Sequence, residues 1–203
     1  MSFVPVIVAW CLSTGALEAP TQTPVWLNEL PATLSQVTEA SAIEVHGCRI
    51  SIGTALEIPP FPPVFHVWVH KEGCETGGYA LLGTSYSAPA TLLDARKQAI
   101  VATFTFRLTP SGSAFEQAQL VSLDFDTGER THASTLAALP PFGSGRIEPT
   151  ALELRGSGTV VIRGTKNGVI PGEVGEGDEF IALFDKFVRD PSFDPAPSRV
   201  TAF

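Results

Sequence analysis

The sequence predicts a mainly β protein, an antiparallel sandwich or barrel with a C-terminal amphipathic helix packed on it. Two observations carry this prediction. Apolar and polar residues alternate over several short segments, as in half-buried strands. Turn-forming residues separate these segments, and no helical pattern lies between them, which argues against βαβ units. A chain of 203 residues, 44% of them hydrophobic, can bury a core without disulfides or metals.

The strand from Val64 to Lys71 has the most informative alternation, because its two faces differ in chemistry. One face carries only large apolar residues, which are Phe65, Val67 and Val69. The other face carries two histidines and a tryptophan, which are His66, Trp68 and His70. Since successive side chains of a strand point to opposite faces, the second set is predicted to share one surface.

Six further segments are predicted to be strands, and short turns separate several of them. They are Ile43–Ile52, Tyr79–Tyr86, Ile100–Leu108, Phe115–Phe125, Ala151–Leu154 and Thr159–Arg163. Asp126 to Glu129 is predicted to be a hairpin turn, with Arg130 to Thr135 as the returning strand. Gly156 to Gly158 is predicted to form a second hairpin turn, and Asn167-Gly168 is a type I′ turn signal.

Two helices are expected. Apolar residues recur at roughly helical spacing between Pro24 and Ala40, but Pro31 limits this helix to a short one. Near the end, Phe180 to Val188 places its apolar residues on one helical face, and Pro191 stops the run. The domain prediction is therefore an N-terminal extension with a short helix over 20–42, a β domain ending in a helix over 43–190, and an extended tail over 191–203.

Residues 1–19 have the layout of a secretory signal peptide. An apolar run, Phe3 to Leu12, precedes the small residues Ser13 to Ala16 and a Pro/Thr-rich stretch. No Lys or Arg precedes the run, and its β-branched residues also suit a buried strand. The run is too short to span a bilayer, which takes about 20 residues. The segment is predicted to be a cleaved signal or, alternatively, a buried N-terminal strand.

The three cysteines fit this compartment. Cys11 lies in the apolar run, so its removal would leave Cys48 and Cys74 as a pair, each after a glycine. A disulfide between them is expected, because secreted proteins form such bridges. The alternative is two buried free thiols in a cytosolic protein. The predicted location is the secreted fraction or the cell surface, with the cytoplasm or a virion as the alternative.

The charge of the chain limits its partners. The formal net charge is −8, and no Lys/Arg cluster appears in the sequence. A binder of nucleic-acid phosphates needs such a cluster, so nucleic acid is excluded as a partner. An anionic membrane surface is disfavoured for the same reason, and no stable membrane insertion is expected.

The ligand-binding candidates are His46, His66, Trp68 and His70. Pairing of their strands would bring these histidines toward Cys48 and Cys74, and imidazole and thiolate suit Zn or Cu. However, His66 and His70 lie about 13 Å apart at the rise of a strand, too far for one ion. A bridged cysteine is also no thiolate ligand. No metal or cofactor is therefore predicted.

Catalytic motifs are weak. Phe125-Asp126-Thr127-Gly128 resembles the hydrophobic-Asp-Thr-Gly motif of aspartic proteases, over four residues only and with no second copy. The same residues are ordinary turn chemistry. Asp124 with Asp126 could pair as carboxylates or bind calcium, but the spacing of a calcium loop is absent. Ser144 and His132 could belong to a triad that sequence cannot assemble.

The predicted function is a secreted or surface-exposed, non-enzymatic β module that binds a small ligand or a protein partner. This rests on the N-terminal layout, the cysteine pair, the acidic balance and the weakness of the catalytic motifs. A structural subunit of a virion or surface assembly, which would form homo-oligomers, is one alternative. A hydrolase with a His/carboxylate site is the other.

Overall fold

The computed structural model describes residues 26–58, 62–96, 98–108, 116–139, 145–188 and 196–203. The chain is mainly β, as predicted, and these ranges contain 13 strands and no helix. The strands are β1 Leu34–Val45, β2 Cys48–Glu57, β3 Val64–Glu72, β4 Gly78–Ser85, β5 Thr91–Arg96, β6 Ala99–Phe106, β7 Gln117–Asp124, β8 Arg130–Leu136, β9 Arg146–Leu154, β10 Val160–Asn167, β11 Glu173–Val174, β12 Glu179–Phe184 and β13 Arg199–Ala202. The predicted signal peptide, residues 1–19, lies outside the described ranges.

The strands form three sheets that follow one another along the chain. Sheet 1 has the order β1-β2-β3-β4, and sheet 2 has the order β5-β6-β7-β8. Both are antiparallel meanders, which need only short connections. Sheet 3 has the order β11-β13-β12-β10-β9, and only its two-residue strand β11 pairs in parallel.

Sheet 2 is the middle layer, because its strands supply residues to two separate cores. In β6, Ile100, Ala102 and Phe104 belong to the core shared with sheet 1. The alternating residues Ala99 and Val101 belong to the core shared with sheet 3. All eight residues of β6 are buried, as expected for a strand with a sheet on each face.

The three sheets are arranged as a fan. Cα atoms of β1 approach those of β5 within 8 Å, and those of β5 approach β9 in the same way. In the described part of the chain, the last strands β4 and β8 make no comparable approach. The first strands therefore converge while the later strands diverge, as in neighbouring blades of a β-propeller. The sandwich alternative is confirmed in this layered form, and the described sheets do not close into a barrel.

The predicted C-terminal helix is wrong. Phe180, Ala182 and Phe184 are buried in the core of sheet 3, whereas Ile181 and Leu183 between them are half-buried on the other face. This two-residue period belongs to a strand, and β12 pairs with both β10 and β13. Apolar residues at both odd and even positions imitate a helical stripe in the sequence, which explains the error. No helix in the described ranges is long and apolar enough to cross a membrane.

The short helix expected between Pro24 and Ala40 is also absent from the described residues 26–40. Leu27 instead forms an antiparallel bridge with Tyr79 of β4, through hydrogen bonds of 2.8 and 2.7 Å. Strand β1 then begins at Leu34, after the turn at Pro31. The tail, expected to be extended, contains β13, which pairs between β11 and β12.

Candidate functional site

Three of the four candidate residues share the face of sheet 1 that points away from the core. His66, Trp68 and His70 alternate along β3 with Val67 and Val69, which are buried against sheet 2. In the ladder with β4, His70 lies opposite Tyr79, so this tyrosine shares their face. We call this surface the outer face of sheet 1.

The histidines of the outer face are half-buried, and each has a partner. His66 Nε2 lies 2.7 Å from Glu57 Oε2, so the pair shares a hydrogen bond. The His70 ring stacks on the Tyr79 ring, with centroids 4.1 Å apart and planes 15° from parallel. These contacts hold both imidazoles in place, and the His70–Tyr79 pair presents a flat aromatic surface.

Trp68 is the buried centre of the outer face, with only 3% of its surface exposed. Its ring meets Tyr79 edge-on, with centroids 5.7 Å apart. On the other side it lies over Gly53 of β2, where a Cβ atom would come within 2.4 Å of the indole and 2.1 Å of the Thr38 carbonyl oxygen. Its indole Nε1 is buried and has no hydrogen-bond acceptor in the described ranges. Such a donor is uncommon, because buried polar groups are nearly always satisfied.

The predicted disulfide is confirmed. Cys48 Sγ lies 1.98 Å from Cys74 Sγ, and the two Cα atoms are 5.4 Å apart. Cys48 is the first residue of β2, and Cys74 lies in the loop between β3 and β4. The bridge therefore ties this loop to the end of sheet 1.

His46 is not part of the outer face. It lies in the tight turn between β1 and β2, where both His46 and Gly47 have positive φ, 54° and 80°. Type I′ hairpins require this conformation at both central residues. His46 lines a cavity of about 560 Å³ at the loop end of the core between sheets 1 and 2. Cys48, Cys74, Lys71 and Asp126 line the same cavity, which we call the loop-end cavity.

Lys71 is the most unusual residue of the loop-end cavity, because it continues the inward-facing positions of β3 and is 1% exposed. Its Nζ donates to the Phe125 carbonyl oxygen and, at 3.0 Å, to Thr76 Oγ1. The amine also lies 4.3 Å from the centroid of the Phe125 ring and 5.3 Å from that of Trp26. Burial lowers the pKa of Lys71, although the nearby Asp126 and Asp124 oppose this effect.

Comparison with family models, with curated proteins and with solved structures finds no match for this chain. The functional argument therefore depends on the fold and on the contacts of the outer face and the loop-end cavity.

Replacing Lys71 by methionine is expected to abolish an alkaline rise in stability. The folded protein releases the Lys71 proton below the ordinary pKa of 10.5, whereas the unfolded chain holds it up to that pH. The unfolded state therefore binds more protons in this window, and the free energy of unfolding increases as the pH rises through it. Lys71→Met has no such proton to lose, so urea unfolding across this window should show a flatter pH profile.

Lys186→Met is the matched control, because Lys186 is exposed. It should keep the alkaline rise of the wild type. An unchanged profile in Lys71→Met would contradict the buried-amine account.

The Asp-Thr-Gly motif forms a hairpin turn, as the turn interpretation predicts. Asp124 Oδ1 accepts hydrogen bonds from the backbone N–H of Asp126 and Thr127 and from the Thr127 hydroxyl, at 2.8 to 3.0 Å. Burial favours the neutral acid, but these bonds outweigh it and hold the pKa of Asp124 below its ordinary value. Trp26 packs on Gly128 and donates its indole N–H to the Asp126 carbonyl oxygen at 3.0 Å. The motif therefore has a structural explanation in this chain.

The remaining catalytic candidates stay apart or lie outside the described ranges. Ser144 falls outside them, and the ring of His132 on β8 lies 5.4 Å from that of Phe187. Within the described ranges, no group of three His, Cys, Asp or Glu residues is placed to hold a metal ion. Because Cys48 and Cys74 are bridged, they are not available as thiolate ligands.

Sequence reasoning missed Tyr79, Gly53 and Lys71. Lys71 had a visible signal, since it follows Val67 and Val69 at the inward period of β3. Tyr79 and Gly53 had none, because only the register of β2, β3 and β4 places them beside Trp68 and His70. The outer face that results combines an aromatic pair, two imidazoles and an unsatisfied indole donor, a set suited to recognition.

Proposed function

We propose that this chain is a secreted or surface-exposed, non-enzymatic β module that binds a partner through the outer face of sheet 1. The observation that carries the proposal is the buried indole N–H of Trp68, which lacks an acceptor beside the half-buried His70–Tyr79 pair. Leaving a buried donor unsatisfied costs about 1–3 kcal/mol, and a partner that supplies an acceptor would recover this free energy.

A protein partner suits this surface better than a small ligand. The aromatic and histidine side chains lie on a sheet face, whereas small-molecule sites are concave. Tyrosine and tryptophan are enriched at protein interfaces, because they combine apolar area with a polar group. The Cys48–Cys74 disulfide supports the extracellular part of the proposal, since such bridges persist in oxidising compartments.

A hydrolase is the second candidate, and the contact between His66 and Glu57 favours it. A carboxylate that orients an imidazole is the arrangement of a general base. In the described ranges, however, the one side chain hydrogen-bonded to His66 is Glu57, so no nucleophile completes the arrangement. The binding proposal is therefore the better supported.

Site-specific photo-crosslinking tests the binding proposal. With p-benzoylphenylalanine at position 79, irradiation of the protein in its native compartment should link it to another polypeptide, because Tyr79 borders the unsatisfied indole. Position 108 is the control, since Leu108 is also apolar but follows β6 of the middle sheet and is 67% exposed. Absence of a crosslink at position 79, or equal crosslinking at both positions, would contradict the proposal.

A further inference from the structure

The fan of three sheets is an open arc of a ring. Sheet 1 packs on sheet 2, and sheet 2 packs on sheet 3, each time with the first strands brought together. Repetition of this step turns about the line where β1, β5 and β9 converge. Closed rings of this kind contain roughly four to eight four-stranded sheets. The described chain supplies three, so each end of the arc presents one sheet face.

Strand β1 has the exposure expected of a first strand without a neighbouring sheet. Most of its 12 residues are exposed. The equivalent strand β5 lies in the middle sheet, and most of its residues are half-buried. The difference follows from position, because β5 has a sheet on either side and β1 has one on a single side.

The opposite end of the arc presents an apolar surface with arginines. Opposite residues in the ladders of sheet 3 share a side, and the side turned away from sheet 2 carries Val161, Ile181 and Leu183. Arg163 lies opposite Ile181, and Arg199 lies opposite Leu183, so both belong to this surface. We call it the outer face of sheet 3.

The two outer faces have complementary charges. The outer face of sheet 1 carries Glu39, Glu57 and Glu72, with Arg49 bound to the first and last of them. Its carboxylates therefore outnumber its arginine. On the outer face of sheet 3, Arg163 and Arg199 form no ion pair within the described ranges. Opposed surfaces of this kind favour association in one orientation.

We propose that a second copy of this chain binds head to tail, so that sheet 3 of each copy packs on the outer face of sheet 1 of the other. Two copies of three sheets then close a ring of six sheets. This inference rests on the proposed function and names the partner. A second copy is the occupant that covers both ends of the arc, since a single unrelated protein on sheet 1 leaves the outer face of sheet 3 bare. The two-fold arrangement closes, as soluble homo-oligomers do.

The mass of the full chain in solution tests the ring. Light scattering after size exclusion, and native mass spectrometry, should give twice the chain mass of 21.5 kDa, or twice the processed mass. Leu183→Arg alters the outer face of sheet 3, and Tyr79→Arg alters that of sheet 1. Each should weaken the dimer at least tenfold, whereas Leu108→Arg on the middle sheet should leave it unchanged.

Mixing the two monomeric variants separates loss of the interface from misfolding. One junction in a mixed dimer carries both substitutions, and the other junction is wild type at both positions. Mixing should therefore restore association, which an unfolded variant could not do. Native mass spectrometry distinguishes the mixed dimer by mass.

Three results would overturn the ring. They are a monomeric wild type at high micromolar concentration, a dimer that resists both substitutions, and open chains longer than two copies. A monomer that still crosslinks from position 79 to a different polypeptide would overturn the ring and keep the proposed function. A monomer without that crosslink would remove both.

Discussion

Replacing Gly53 by alanine is expected to lower the free energy of unfolding by about 3 kcal/mol. In most strands this substitution is favourable, because alanine loses less backbone entropy than glycine on folding. At Gly53 the added Cβ would lie 2.1 Å from the Thr38 carbonyl oxygen and 2.4 Å from Cζ2 of Trp68. Neither neighbour can yield easily, since one is backbone of β1 and the other is an indole that is 3% exposed.

Urea unfolding followed by tryptophan fluorescence measures this loss, and thermal unfolding should show a decrease of about 6 to 12 °C in Tm. Gly156→Ala is the matched control. Its Cβ would lie 3.7 Å from Arg96 Nη1, an ordinary contact, so its stability should stay near that of the wild type. Equal stability of Gly53→Ala and Gly156→Ala would show that the indole does not occupy the space above Gly53.

Removing the disulfide by Cys48→Ala with Cys74→Ala is expected to lower the free energy of unfolding by about 3 to 4 kcal/mol. The bridge joins residues 26 positions apart, so it restricts the unfolded chain considerably. It also holds the β3–β4 loop beside Lys71 in the loop-end cavity. Urea unfolding of the oxidised wild type against the double variant measures the difference.

Reduction provides the control for this prediction. Dithiothreitol should bring the wild type down to the stability of the double variant and leave the variant itself unchanged. Intact mass of the protein from its native source, alkylated without reduction, should find Cys48 and Cys74 unmodified. The same spectrum reports whether residues 1–16 or 1–19 have been removed. Alkylation of Cys48 and Cys74 in native material would contradict both the bridge and the extracellular location.

The β class of the fold could be predicted from sequence, because alternation in β3 and β6 is strong and local. The helix assigned to Phe180–Val188 could not be recognised as a strand from the same kind of evidence. Apolar residues occupy both faces of β12, and its strand character comes from pairing with β10 and β13, which are distant in sequence. The three-layer fan was also beyond sequence, since it depends on how whole sheets pack.

The candidate site could be predicted in part. Alternation alone places His66, Trp68 and His70 on one face, and the glycines before Cys48 and Cys74 suggested their pairing. The separation of His46 from this face follows from its position in a turn, where residue spacing says little about direction. The burial of Trp68 required the register of three strands, because its cover comes from Gly53 and Tyr79 on either side.

The double burial of β6 determines which part of the molecule opens last. Its amide hydrogens lie between two cores, so exchange with solvent requires both cores to separate at once. The amides of β1 have one layer beneath them and can exchange through small local fluctuations. Hydrogen exchange should therefore follow a gradient, slowest in the middle sheet and fastest along β1. The central sheet would then report the global free energy of unfolding, while the first strand reports only its own motion.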